Sequence, residues 1–102
     1  MADLRGTTAL VTGGSSGIGL GIATALARAG ADVAIWSLDE VANDAAVATL
    51  AATGQRVHAE VCDVTDERGL IAAFARSADA LGGLDAVVAN AGVGGGTPLR
   101  RT

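Results

Sequence analysis

The chain has 102 residues, half of them hydrophobic, and a formal net charge of −4. That length holds at most one domain, and the negative balance argues against a general nucleic-acid surface or an anionic membrane as partner. With one phenylalanine, one tryptophan and no tyrosine, any core has to be built from Ala, Val, Leu and Ile. The single cysteine, Cys62, cannot form an internal disulfide, which fits a reducing compartment. No apolar run reaches the roughly 18 residues of a membrane span, and Met1-Ala2-Asp3-Leu4-Arg5-Gly6 lacks the layout of a secretory signal. A cytoplasmic protein with no membrane or nucleic-acid partner is the expectation.

The first apolar run, about Thr7 to Val11, is uninterrupted, which predicts a strand covered on both faces as in a parallel sheet. It passes through a glycine-rich turn into a helix ending near Ala29. Ile18, Ile22, Ala25, Leu26 and Ala29 fall on one stripe of that helix, and Gly30 is placed to stop it. Val33 to Trp36 reads as a second strand. A second helix is predicted from near Asp39 to Thr53, with Asp39 and Glu40 at its dipole-positive end. Its stripe is Val41, Ala45, Ala48 and Ala52, flanked by Val47 and Leu50, and Gly54 ends it.

Arg56 to Val61 alternates polar and apolar residues, which suits an edge strand. Thr65 or Asp66 can cap a third helix carrying Leu70, Ile71, Phe74, Ala78 and Leu81, which Gly82-Gly83 closes. Leu84 to Ala89 is a fourth apolar strand. The order is therefore βαβαβαβ, an α/β pattern. Right-handed crossovers turn it into a doubly wound parallel sheet. A strand order of 3-2-1-4 would put the alternating strand at an edge and the glycine turn at the topological switch point.

The turn is where the chemistry is expected. A helix N-terminus carries free N–H groups and the positive end of the macrodipole, so it attracts a phosphate. Gly13 suits the tight turn, Gly17 has no Cβ to hold a pyrophosphate away, and Gly19 lets helix and strand pack closely. Ser15 and Ser16 add hydroxyls. The spacing is G-x-x-x-G-x-G, not the commoner G-x-G-x-x-G, and the absence of lysine excludes a P-loop. Taken alone, a turn that merely packs strand against helix remains the alternative.

Thr12-Gly13-Gly14-Ser15-Ser16-Gly17-Ile18-Gly19 resembles the cofactor loop of the short-chain dehydrogenase/reductase family. Cys62-Asp63-Val64-Thr65-Asp66 and Asn90-Ala91-Gly92 resemble two further segments of that family, in its order and at its spacing. The resemblance covers essentially the whole chain. It implies a partial Rossmann domain over residues 1–102 that binds NAD or NADP, with Gly13, Ser15, Ser16, Gly17, Ile18 and Gly19 at the cofactor. It further implies that Asp63 accepts from the adenine amino group and that the Val64 backbone binds the ring edge. Asn90 would tie the fourth strand to the central sheet, while Ala91 and Gly92 leave room for the cofactor ribose.

Each segment also has a plainer alternative, Asp63 as a turn residue after a strand and Asn90-x-Gly92 as a generic turn. The family position that contacts the adenosine ribose falls on Ser37, followed by Leu38, neither acidic nor basic. Asp39 is a possible substitute or a helix N-cap. The choice between NAD and NADP stays open.

Four other features call for plain readings. His58 is expected as a solvated surface residue and Cys62 as a small buried hydrophobe with no metal partners at ligand spacing. Trp36 either lines the adenine side or fills the sheet–helix interface, and Arg100-Arg101 is a phosphate contact or a frayed terminus.

By the same resemblance, a Tyr-x-x-x-Lys pair with a serine and a second asparagine moves the proton while the cofactor moves the hydride. This sequence has no tyrosine and no lysine, so no catalytic residue is assigned. The expectation is the NAD(P)-binding portion of a short-chain oxidoreductase, truncated and inactive alone, with homo-oligomers only in a full-length form. A non-catalytic dinucleotide-binding module and a half-site completed by a partner chain are the alternatives. The isolated chain is expected to expose the fourth strand as an apolar edge.

Overall fold

Four strands and three helices alternate along the chain in a computed structural model that describes residues 3–90. They are β1 (Thr8–Thr12), α1 (Gly17–Arg28), β2 (Asp32–Ser37), α2 (Glu40–Ala51), β3 (Val57–Val61), α3 (Glu67–Leu81) and β4 (Ala86–Ala89). Ala91, Gly92, Arg100 and Arg101 lie outside the described residues. The strands form one parallel sheet in the order β3-β2-β1-β4, as the pattern of alternation required.

Both faces of the central strands are covered. Every residue of β1 is buried, as are the four central residues of β2. Because side chains alternate across a strand, Val11, Val33 and Ile35 share one face, where they meet Ala23 and Ala27 of α1 and Ala46 and Leu50 of α2. Leu10, Ala34 and Trp36 share the other face, where they meet Ala73 and Leu81 of α3 together with Cys62.

The helices are where expected, but their buried stripes are phased differently. On α1 the buried residues are Gly19, Ala23 and Ala27, with Leu20, Ile22 and Leu26 alongside, while Ile18 and Ala25 are exposed. On α2 the predicted stripe of Val41, Ala45, Ala48 and Ala52 faces outward, and Asn43, Ala46 and Leu50 are buried instead. On α3, Ala73, Ser77 and Leu81 are buried, whereas Ile71 is 61% and Phe74 44% exposed.

Each polar residue on those buried faces has a partner. Asn43 Nδ2 donates to the Glu60 carbonyl at 3.0 Å, and Trp36 Nε1 donates to Ser77 Oγ at 3.0 Å. Small and hydrogen-bonded residues let the helix backbones sit close to the sheet, and that outweighs the bulk of Val41, Ile71 and Phe74.

Asp66, not Thr65, caps α3 by accepting from Gly69 N–H at 3.3 Å. Gly30 follows α1 at φ 109°, and Gly82 ends α3 at φ 80°.

β4 pairs with β1 on one side only among the described residues, and Val87 at its middle is 54% exposed. Among the described residues, β4 thus presents a short apolar edge with no charge between Ala86 and Ala89, the kind of edge that pairs with another copy. Gel filtration of the 102-residue chain is expected to show self-association, and Val87→Lys is expected to reduce it. A monodisperse parent chain at the same concentration would contradict this account of the edge.

Candidate functional site

Because all four strands are parallel, their carboxyl ends lie along one edge of the sheet. Thr12 is in register with Trp36 and Ala89, and Ser37 with Val61. The loop leaving β1 is held against that edge by Gly13 N–H, which donates to the Trp36 carbonyl at 2.7 Å. Gly13 takes φ 66°, a conformation that favours glycine.

The glycines of this loop have separate tasks. A Cβ on Gly19 would overlap the Gly13 carbonyl oxygen and lie 2.6 Å from Asn90 Nδ2, so α1 can start here only without a side chain. Gly17, at φ 57°, is the opposite case, since nothing lies within 4 Å of where its Cβ would be. Gly14, which the sequence argument did not single out, packs against the sheet, because its Cβ would meet Ile35 Cγ2 at 2.7 Å. The paired glycines Gly13-Gly14 were the available signal.

The start of α1 suits an anion. No acidic residue stands in its first turn, and the side chain of the N-cap residue Ser16 makes no capping bond. Ser16 and Ile18 are exposed, whereas Ser15 is buried. The first-turn N–H groups and the open space at Gly17 therefore fit a phosphate-bearing ligand.

Asn90 connects the end of β4 to this loop. Its N–H donates to Thr12 Oγ1 at 2.8 Å and its Nδ2 to the Gly13 carbonyl at 3.4 Å, while Thr12 Oγ1 donates to the Val88 carbonyl at 3.4 Å. The link between the fourth strand and the central sheet is therefore present.

At the end of β2, Ser37 Oγ accepts from Asp39 N–H at 3.1 Å and lies 3.1 Å from Asn43 Oδ1. Asp39 is the N-cap of α2, with Oδ1 accepting from Ala42 N–H at 3.0 Å. At the end of β3, Asp63 Oδ1 accepts from Thr65 Oγ1 at 2.6 Å and from Thr65 N–H at 2.9 Å. Those two bonds hold the Asp63 carboxyl below the usual carboxylate range. Val64 beside it is exposed. The structure thus brings Gly13, Ser16, Gly17, Ile18, Gly19, Ser37, Asp63, Val64 and Asn90 to one edge of the sheet.

Trp36 is buried in the interface between the sheet and α3. Cys62 is buried beside it, where burial and the charges of Glu60, Asp63 and Asp66 push its thiol up. Among the described residues no three His, Cys, Asp or Glu side chains gather to hold a metal, and no helix is long and apolar enough to cross a membrane.

His58 departs from expectation. Its Nε2 pairs with Glu60 Oε2 at 2.6 Å, and Arg76 of α3 binds Glu60 Oε1 through its terminal nitrogen at 2.8 Å. Glu60 is in register with Trp36, which turns it towards α3 and draws His58 in from solvent. Burial raises the Glu60 carboxyl, but the hydrogen bonds from Arg76 and His58 outweigh it and leave the group below its ordinary value.

The sequence matches the family model described as short chain dehydrogenase over residues 7–102. It is 39% identical over 93 residues to the 2,5-dichloro-2,5-cyclohexadiene-1,4-diol dehydrogenase of Sphingobium indicum, covering 91% of this chain and 36% of that protein. Identity to the gluconate 5-dehydrogenase of Gluconobacter oxydans is 38% over 97 residues, or 95% of this chain and 38% of the relative. The solved structure of a 7α-hydroxysteroid dehydrogenase complexed with NADH and 7-oxo glycochenodeoxycholic acid is similar, with a TM-score of 0.87. That pair shares 35% identity over 98% of this chain and 39% of the other. The chain thus spans well under half the length of these relatives.

Gly19→Ala should destabilise the fold by about 1–3 kcal/mol, the usual cost of overpacking, because rigid backbone at Gly13 receives the new methyl. A urea unfolding midpoint equal to that of the parent chain would refute the close approach. For Glu60, a folded value below the unfolded one means that the stabilisation is complete above the unfolded value and is lost as pH falls through the folded one. The stability advantage of the parent chain over Glu60→Gln, measured by urea unfolding, should therefore shrink as pH falls below about 4. An advantage independent of pH would show that the carboxylate is not the paired form.

Proposed function

Because the chain belongs to the short-chain dehydrogenase/reductase family, we propose that it supplies the part of a short-chain oxidoreductase that binds NAD or NADP. The observation that carries this reading is the start of α1. It combines free first-turn amides, no acidic residue in the first turn, and a glycine with open space where a side chain would stand.

In this reading the pyrophosphate lies against Gly13, Ser15, Ser16, Gly17, Ile18 and Gly19. Ser37 faces the adenosine ribose, and Asp63 with the Val64 backbone receives the adenine. An ionised carboxylate accepts more than the two bonds that Thr65 makes, so Asp63 retains capacity for the adenine amino group. Asn90 holds β4 against the loop, and Ala91 and Gly92 complete the ribose side. The proposed reaction is hydride transfer between the nicotinamide and an alcohol or carbonyl carbon, the hydride being the cofactor's contribution when bound. This chain's own residues bind and orient; the proton is handled by none of them in this proposal.

Gly17→Val directs a branched side chain into the space at the start of α1 and also disfavours the positive φ there. NADH affinity, followed by fluorescence titration of the 102-residue chain, is expected to fall by about tenfold or more, corresponding to roughly 1.4 kcal/mol. A folded Gly17→Val variant with unchanged affinity would reduce the loop to a turn.

A further inference from the structure

We propose that the carboxyl end of β2 selects a dinucleotide whose adenosine ribose carries a free 2′-hydroxyl, NAD in preference to NADP, because Asn43 fixes the Ser37 hydroxyl as a hydrogen-bond acceptor. This rests on the cofactor-binding reading above and concerns the same site.

Hydrogen-bond direction decides what Ser37 offers to a ligand. Asn43 is 3% exposed, so its amide orientation is fixed by its neighbours. The Glu60 carbonyl, 3.0 Å from Nδ2, can only accept, so the amide nitrogen must face it. Asn43 Oδ1 therefore faces Ser37 Oγ at 3.1 Å, and since an amide oxygen has no proton, Ser37 must donate. The alternative acceptor for that proton, the Asp39 carbonyl at 3.2 Å, belongs to the chain as well. Asp39 N–H donates to the same Ser37 oxygen at 3.1 Å. A hydroxyl has one proton and two lone pairs, and here the proton and one lone pair are engaged within the protein. A ligand meets only the remaining lone pair.

A ribose 2′-hydroxyl can donate to that lone pair. A 2′-phosphate, which accepts hydrogen bonds, finds no proton on Ser37. Charge points the same way. Asp39 and Glu40 occupy the start of α2, where the helix dipole already acts on their carboxylates. No arginine occurs between Arg28 and Arg56. Arg56 is bound to Asp32 and the Leu81 carbonyl, and Arg76 to Glu60. Asn43 is thus a positioning residue acting through Ser37.

The test is titration of the 102-residue chain with NADH and with NADPH, read by nucleotide fluorescence. NADH is expected to bind about tenfold tighter, the sense in which a site built around a ligand hydroxyl discriminates. Ser37→Ala should lower that ratio by weakening NADH alone, and Ser37→Thr, which keeps the hydroxyl, should retain it. Asn43→Leu removes one of the two acceptors that hold the Ser37 proton, leaving the Asp39 carbonyl at 3.2 Å, and should lower the ratio by less than Ser37→Ala does, whereas loss of packing alone would weaken both cofactors equally. If Asn43→Leu does not fold, the parent ratio and the two Ser37 variants decide the matter. Equal affinities, tighter NADPH, or a ratio unmoved in Ser37→Ala would overturn the inference. Binding of neither cofactor would overturn the reading on which it rests.

Discussion

The closeness of α1 to the end of β1 is the constraint on which the remaining geometry depends. Gly19 stands where any side chain would collide with the Gly13 carbonyl, and that carbonyl is fixed because Gly13 N–H is bonded to Trp36. With the helix start held there, Ala23 and Ala27 reach the sheet and close the cluster containing Val11, Val33 and Ile35. The same contact aims the first-turn amides beyond the strand ends. Asn90 bonds to the same carbonyl, so the position of β4 and the shape of the loop are set together.

A second set of restraints is polar and largely buried. Asn43 bridges α2 to both β2 and β3, Trp36 and Ser77 join the sheet to α3, and Glu60 gathers His58 and Arg76. Apolar residues of the same shape could give similar stability, but they would leave the helices free to slide on the sheet. Hydrogen bonds with a defined direction fix the phase, and Asn43 shows how such a bond reaches the edge where a ligand is proposed to bind. A buried side chain with no role of its own at the ligand can thereby set which atom of Ser37 is offered.

The fold was legible because strand character and glycine punctuation are strong signals. The uninterrupted Ala9-Leu10-Val11 and Val33-Ala34-Ile35-Trp36 runs are buried on both faces, and the alternating strand lies at an edge. The helix faces were less legible. α2 carries alanine on every side, so apolar periodicity gives little phase, and Val41 drew the predicted stripe to the exposed face. The true face contains Asn43, whose burial depends on a carbonyl of β3, and no local pattern shows that. Ser77 is the same case on α3. The sequence leaves His58 as a solvated residue because its partner Glu60 is held in place by Arg76, which comes from another element. In the candidate site, the turn at Gly13 and the close packing at Gly19 are legible from glycine spacing, whereas Gly14 is not, because its constraint comes from Ile35 on the neighbouring strand.

The central claim is that a nicotinamide dinucleotide lies along the carboxyl ends of the strands, beginning at α1. Backbone amide NMR of the 102-residue chain, recorded with and without NADH, tests it most directly. The account predicts that shifts concentrate on Ser16, Gly17, Ile18 and Gly19, extend to Ser37 and Asp63, and leave Arg56, Gly82 and Asp85 at the opposite edge unmoved. Shifts centred on that opposite edge, or none at saturating NADH, would contradict it.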